Sequence, residues 1–364
     1  MKIRTLVECL ESIAPLSLQE EYDNSGLIIG DKNKEVKKGL IALDITEEVM
    51  LEAIEGQFDL IISHHPLIFR GLKKLNGKSM VERIVIKAIQ NNIAIYAIHT
   101  NLDNVHQGVN AMLGEKLGLT RLEILAPKPS GLNKLVTFCP SEHAEKVRNA
   151  IFEAGAGHIG KYDCCSYNIS GVGSFRALEG SSPFVGKLSE IHFEKETRIE
   201  TIVPSEVLNQ VVAAMKNTHP YEEVAYDIYP LENQNTLTGA GMIGDLEKET
   251  SATDFLLTVK KILGAKAIRH NYLVERPVKK IAICGGSGSF LIPDAYRAGA
   301  DVYITGDLKY HDFFEYKNEM VLVDAGHFET EQFTKELLYS VLNKKFPTFA
   351  LQISKINSNP ISFL

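Results

Sequence analysis

Five side chains of this 364-residue sequence are of the types that hold divalent transition metals: His64, His65, Asp103, His327 and Glu331. Neutral imidazole and carboxylate are ligands that zinc, iron and manganese accept. His64 and His65 are adjacent, and Pro66 behind them ends regular strand pairing. The two rings are therefore released from strict strand alternation and can reach two different ions. His327 and Glu331, spaced i and i+4, project from one helical face. A carboxylate such as Asp103 has two oxygens and can bridge a pair of ions. Two metals about 3.5–4 Å apart can hold and ionise a bridging water, which supplies a hydroxide nucleophile near neutral pH. Taken singly these signals are weak: a His-His pair is more often structural, and a lone His-x-x-x-Glu is more often a solvated helix face. Their shared position along the chain is what joins them.

That position is the C-terminal end of predicted strands. Gly39–Leu43 reads as a strand followed by Asp44 and a helix over Thr46–Glu55. Phe58–Ile62 is a second strand that runs into Ser63-His64-His65-Pro66, and Ile93–Ile98 is a third that ends in His99-Thr100-Asn101-Leu102-Asp103, with a helix over Val81–Gln90 between them. The alternation of short apolar runs with helical patterns is that of a doubly wound α/β sheet. In such sheets this edge is where ligands bind, because its loops are open to solvent yet held by a rigid framework. The pattern returns near the C-terminus, with strands at Lys280–Cys284, Asp301–Thr305 and Met320–Val323, the last followed by Asp324-Ala325-Gly326-His327.

Between these halves lies a stretch of different character, bounded by turn-rich segments at Pro127-Lys128-Pro129-Ser130-Gly131 and Glu232–Gly239. It holds a faint repeat: Leu135–Cys139, Pro140-Ser141-Glu142 and a helix are echoed by Ile199–Val203, Pro204-Ser205-Glu206 and a second helix. Ser141 and Ser205 are placed to cap those helices. With the strand-like Ser166–Ala177 and Glu223–Tyr229 the order becomes β-α-β, β-α-β. The predicted fold class is thus a discontinuous α/β core domain, residues 1–126 with 236–364, carrying an inserted ferredoxin-like α+β domain at residues 127–235.

Composition narrows the function. Hydrophobic residues at 45% and charged residues at 23% describe a chain with material for a large core. Thirty-nine basic against 46 acidic residues leave a formal charge of −7, which argues against a general electrostatic grip on nucleic acid or an anionic membrane. The longest apolar runs fall far short of the roughly 18 residues of a membrane helix, and the N-terminus lacks a signal-peptide pattern, so a cytoplasmic location is expected. Five cysteines without Cys-x-x-Cys spacing form neither a disulfide framework nor a thiolate zinc site.

The chain resembles the Nif-three-like family, also labelled GTP cyclohydrolase I type 2 homologs. The resemblance rests on Tyr22-Asp23-Asn24-Ser25-Gly26-Leu27, Ala42-Leu43-Asp44-Ile45-Thr46, Ser63-His64-His65-Pro66, His99-Thr100-Asn101-Leu102-Asp103, Thr305-Gly306-Asp307 and Gly326-His327-Phe328-Glu329-Thr330-Glu331. It implies that His64, His65, Asp103, His327 and Glu331 fall on ligands of a dinuclear centre of two divalent ions, zinc foremost, with iron(II) or manganese(II) as alternatives. Tyr22 departs from the family's common Trp, a change expected to touch packing. The middle segment is similar to the PII-like or CutA-like insert of longer members, most clearly in Thr218-His219-Pro220-Tyr221-Glu222-Glu223. The resemblance further implies a toroidal homohexamer and a GTP cyclohydrolase-like action on a nucleotide or other small molecule.

Glu331 and His99 are the candidates for general acid and base, and His99, Asp307 and His311 are candidates to orient the ligands. Gly285-Gly286-Ser287-Gly288 lacks the Gly-Lys-Ser/Thr ending of a P-loop and reads as a tight strand-to-helix turn before a phosphate cradle. Two functions remain open: a metal-dependent hydrolase, or a non-enzymatic metal-binding assembly whose insert senses a ligand or binds a partner. Five ligands are too few to saturate two metals, which favours the hydrolase.

Overall fold

In the computed structural model residues 1–128 and 131–364 are described. Pro129 and Ser130, part of the turn-rich segment expected at Pro127–Gly131, lie outside them. The chain divides into two compact units, Met1–Pro127 with Leu237–Leu364, and Lys128–Thr236.

The first unit, read in the sequence as two halves of one domain, contains two sheets. The first sheet runs in the order Gly26–Ile29, Ala94–Ala97, Leu60–Ser63, Lys38–Ala42, Ala350–Ile353, parallel except for its first strand. Leu60–Ser63 is buried at every position because helices cover both faces. Alternate residues divide between two cores. Ile41, Ile62 and Tyr96 pack on Leu6 and Leu10 of helix Ile3–Ile13 and on Leu338 and Leu342 of helix Thr334–Lys345. Leu40, Ile61 and Ile95 face Val49, Met50, Ile84 and Val85 of helices Glu47–Glu55 and Met80–Gln90. Thr46 and Ser79 start the latter two helices by accepting from the backbone N–H groups of Val49 and Glu82.

The second sheet runs Arg269–His270, Val321–Asp324, Val302–Gly306, Val278–Ser287, Gly239–Thr250, Leu119–Pro127. Only its central pairs are parallel; Gly239–Thr250 and Leu119–Pro127 pair antiparallel at one side. Those two strands carry polar residues along much of their length, so no apolar run announces them. No helix among the described residues is long and apolar enough to cross a membrane.

The second unit has the ferredoxin-like order: Leu132–Pro140, helix Ala144–Glu153, Ser166–Arg176, Ile191–Pro204, helix Leu208–Thr218, Tyr226–Pro230. Its four strands are antiparallel, with Leu132–Pro140 and Ile191–Pro204 in the middle. Leu135, Cys139, Ile199 and Val203 meet Val147, Ile151, Val211 and Met215 of the helices. The expected serine caps are not formed. Ser141 Oγ lies 3.1 Å from Thr197 Oγ1, and Ser205 Oγ accepts from Asn133 Nδ2 at 2.8 Å. Strand side chains compete for both hydroxyls, and the helices begin three residues later, at Ala144 and Leu208, without side-chain caps.

Pro127, just before the second unit, and Gly239, three residues after its end, are directly opposite partners in an antiparallel ladder. A short turn can join them much as a hairpin loop does. Replacing residues 128–236 with such a turn is expected to leave a soluble, cooperatively unfolding α/β unit, checked by circular dichroism and thermal melting. Aggregation of the product would show that the removed unit completes the core.

Candidate metal centre

Both sheets of the first unit deliver side chains to one cavity. Strand Leu60–Ser63 ends at His64 and His65, whose N–H groups donate to the Ala42 and Leu43 carbonyls at 3.2 and 3.0 Å. Strand Ala94–Ala97 leads to His99 and a one-turn helix, Thr100–Asp103. From the second sheet, Val321–Asp324 leads through Gly326, in the left-handed region at φ +96°, to the short helix His327–Glu331. The five residues picked out as metal ligands come together. Glu331, not Asp103, occupies the middle: its Oε1 is 3.8 Å from His64 Nε2, while its Oε2 is 3.0 and 3.1 Å from His65 Nε2 and His327 Nε2. Asp103 Oδ1 is 3.6 Å from His64 Nε2.

Each imidazole is fixed through its other nitrogen. Nδ1 of His64 donates to the Ile98 carbonyl at 2.8 Å, that of His65 to Asp44 Oδ1 at 2.7 Å, that of His327 to Asp307 Oδ2 at 2.6 Å, and that of His99 to Asp23 Oδ1 at 2.7 Å. With Nδ1–H committed, Nε2 is the lone-pair atom, the arrangement that orients metal-ligating histidines. The interior of the cluster is then a set of acceptors facing acceptors. His64 Nε2, Asp103 Oδ1 and Glu331 Oε2 are buried and without hydrogen-bond partners. Such groups are costly unless a cation or proton lies between them.

The spacing suits a cation. Zinc–nitrogen bonds of about 2.0–2.1 Å place two ligand atoms of a tetrahedral ion roughly 3.3 Å apart. His65 Nε2 and His327 Nε2 are 3.3 Å apart, and Glu331 Oε2 closes the triangle. His65, His327 and Glu331 can therefore hold a metal ion; His64, His65 and His99 form a second group whose ligand atoms lie within 4.8 Å of one another. The donor set is imidazole and carboxylate only. The Cys284 thiol at the cavity wall is pushed up by burial and by the Asp103 and Glu331 carboxylates, so it stays neutral.

Without a cation, protons hold the cluster together. Burial disfavours charge on His65 and His327, but hydrogen bonds to Asp44 and Glu331 outweigh it for His65, and bonds to Glu331 and Asp307 for His327, holding them up at about 10 and about 9. His64, fully enclosed, is lowered by burial. Glu331 stays well below its ordinary value because contacts with the three imidazoles overcome its burial, whereas burial and the Glu331 charge raise Asp103. A raised histidine value contributes stability that is complete below the unfolded value of about 6.5 and lost as pH rises through the folded value. The chelator-treated protein is therefore expected to lose thermal stability between about pH 7 and 10. Bound metal should flatten this dependence, because it replaces the protons; melting curves with and without chelator check both.

The surrounding cavity measures about 580 Å³, with Tyr22, Phe69, Phe290, His99, Asn104 and Asn110 among its lining residues. Tyr22 is 65% exposed, its ring 6.1 Å from that of Phe69, so the residue at this departure from the family pattern belongs to the cavity lining and is not a core packing group. Gly285 and Gly286 point their N–H groups at Asn110 Oδ1 and Thr330 Oγ1, at 2.8 and 3.0 Å, so neither is free for a phosphate. His311 packs against Tyr310 and Phe314 and is not among the cavity's lining residues. In the insert, Tyr221 donates to Glu196, the His219 ring bonds the Phe138 carbonyl, and Glu222 accepts from the Ser182 N–H. Two anchors were not singled out in the sequence, Asp23 and Asp44. Asp44 stands at a strand end as the candidate ligands do, and that shared position was the available signal.

Comparison with known proteins agrees with the motif resemblance. The chain is 41% identical over 368 residues to a GTP cyclohydrolase 1 type 2 homolog of Bacillus subtilis, covering 99% of this chain and 98% of that protein. A relative of the same description from Halalkalibacterium halodurans is also 41% identical, over 366 residues, with the same coverage of 99% and 98%. Among solved structures, a Bacillus cereus protein related to NIF3 superposes with a TM-score of 0.87 at 40% identity, covering 100% of this chain and 99% of that one. The Staphylococcus aureus protein SA1388 does so with a TM-score of 0.78 at 31% identity, over 100% of this chain and 99% of its own. A family model spans residues 1–360, both halves of the candidate metal cluster and the insert between them, and by that match the chain belongs to the Duf34/NIF3 (NGG1p interacting factor 3) family.

Proposed function

We propose that this protein is a metal-dependent hydrolase with two divalent ions per chain, zinc foremost, acting on a nucleotide or related heterocycle. The observation that carries the reading is the inward-facing set of lone pairs: imidazole nitrogens fixed through Nδ1 and two carboxylates, with no protein donor among them. His65, His327 and Glu331 would hold one ion, and His64, Asp103 and the other Glu331 oxygen the second. When bound, such a pair supplies Lewis acidity to a substrate oxygen and lowers the pKa of water enough to make it a nucleophile near neutral pH.

The chain's own residues divide the remaining work. Both Glu331 oxygens face imidazoles, which occupies it as a ligand and leaves His99 to carry a proton. His99 lines the cavity with Nδ1 anchored on Asp23, so Nε2 is the atom available for transfer. Asp23 is itself fixed by the N–H and hydroxyl of Thr100 and by the Ser25 hydroxyl. Tyr22, Phe69 and Phe290 give the cavity aromatic walls that suit a planar ring. The name carried by the Bacillus subtilis and Halalkalibacterium halodurans relatives, GTP cyclohydrolase 1 type 2 homolog, puts GTP first among substrates to try. Assembly as a toroidal homohexamer belongs to the same proposal, and native mass measurement tests it.

The test of function is turnover of GTP, other nucleotides, phosphoesters and cyclic amides with zinc, manganese or iron supplied. Asp103→Asn is expected to lower any turnover found by on the order of 10²-fold or more while the fold is retained, because it removes a charge from the ligand set without changing its size. Turnover undiminished in both Asp103→Asn and Glu331→Gln would show that the centre is not catalytic.

A further inference from the structure

The segment after the last strand carries contacts that the metal reading does not use. Strand Ala350–Ile353 pairs parallel with Lys38–Ala42, and Ser354 continues past it, its N–H donating to the Ile41 carbonyl at 2.8 Å. Glu52 of helix Glu47–Glu55 then takes the Ser354 hydroxyl and the Lys355 N–H at 2.5 and 3.0 Å. Two further contacts follow. Ser358 Oγ donates to Asp44 Oδ2 at 2.6 Å, and Asn359 Nδ2 donates to Glu329 Oε1 at 3.0 Å.

The two acceptors flank the cluster from opposite sheets. Asp44 follows strand Lys38–Ala42 and holds the His65 ring with its other oxygen, at 2.7 Å. Glu329 lies between His327 and Glu331 on their short helix, and its side chain folds back over Gly326, where an added Cβ would meet Oε2 at 2.1 Å. A five-residue helix has too few internal bonds to be stable by itself and depends on such outside ties. Residues 354–359 therefore cross from the edge of the first sheet to the turn that presents His327, tying down the supports of both histidines whose Nε2 atoms stand 3.3 Å apart.

We propose that residues 354–359 act as a strap that aligns the His65–His327 side of the metal centre, with Ser358 and Asn359 as positioning residues. Ser358 fixes which way the Asp44 carboxylate faces, and so the plane of the His65 ring. Asn359 holds the helix on which His327 and Glu331 sit. Neither residue hydrogen-bonds His64 or Asp103, so the strap acts chiefly on the His65–His327 position and reaches the other only through Glu331, whose two oxygens face both. The proposal rests on the reading of the cluster as a metal centre.

The test uses the full chain, stripped of metal and titrated with cobalt(II) alone, followed by its visible absorption, and with zinc in competition with a chelating dye. The wild type is expected to fill two positions. Ser358→Ala with Asn359→Ala should weaken one of them by about tenfold, the lower end of what outer partners of metal ligands contribute. The cobalt spectrum of that position should change, and the other binding step, which shares only Glu331 with it, should weaken by clearly less. Ser358→Thr, which keeps the hydroxyl, should restore most of the affinity on an Asn359 background. Two metals bound by the double variant with wild-type affinities and an unchanged cobalt spectrum would overturn the strap alone. Equal weakening of both positions together with altered circular dichroism would also overturn it, by showing a role in folding only. A wild-type chain that takes up no metal would overturn the metal reading and the strap with it.

Discussion

Glu331→Gln is expected to release most of the bound metal, lowering affinity by about 10²-fold or more, with the fold retained. Glu331 is 3% exposed and, among the described residues, is the side chain whose carboxylate faces His64, His65 and His327 together. The amide keeps the size of the carboxylate but offers one oxygen where there were two, and its NH2 group would point a donor at lone pairs that await a cation. That donor can satisfy one imidazole, so the cavity need not collapse. The same change removes a principal influence holding His65 and His327 above their ordinary value. In the metal-free variant both should titrate at lower pH, a shift readable by nuclear magnetic resonance independently of metal content. Full metal content in Glu331→Gln would place the ions elsewhere.

Gly286→Ala is expected to combine backbone strain with the same loss of metal. Its φ of +63° lies in the left-handed region, and an added Cβ would stand 2.1 Å from Glu331 Oε1 and 3.2 Å from His327 Nε2. The backbone has little freedom to withdraw, because its N–H donates to Thr330 and its carbonyl accepts from Thr305. Destabilisation of about 1–3 kcal/mol follows from a non-glycine residue held in this region against a close contact. Gly264 provides the control: its φ is +62°, at the end of helix Ala252–Leu263, and nothing lies within 4 Å of its added Cβ. Gly264→Ala should show the backbone part of the loss, about 1 kcal/mol, and keep its metal. Denaturant unfolding and metal analysis of the two variants check this; equal metal content would mean that the contact with Glu331 is not what Gly286 avoids.

Legibility in the sequence followed the strength of local signals. The strands that carry His64, His65 and His327 are continuous apolar runs, because both faces are covered, and their ends are marked by His-His-Pro and Gly-His. Gly239–Thr250 and Leu119–Pro127 escaped because half-polar strands leave no such run, and with them went the division into two sheets. The serine caps failed because a side chain on the neighbouring strand reached the hydroxyl before the helix N-terminus did. The ligand types and their i, i+4 spacing pointed to residues that the fold brings together, but which carboxylate stands at their centre depends on how two sheets meet. Ser358 and Asn359 had no readable signal, since a polar tail looks alike whether it crosses a site or hangs in solvent.

The central claim is that the cluster around Glu331 is a metal centre, and elemental analysis of protein purified without chelator tests it most directly. The expected result is two transition-metal ions per chain, falling sharply in Glu331→Gln and in His64→Ala. Fewer than about one ion per chain in the wild type, with no change in His64→Ala, would contradict it.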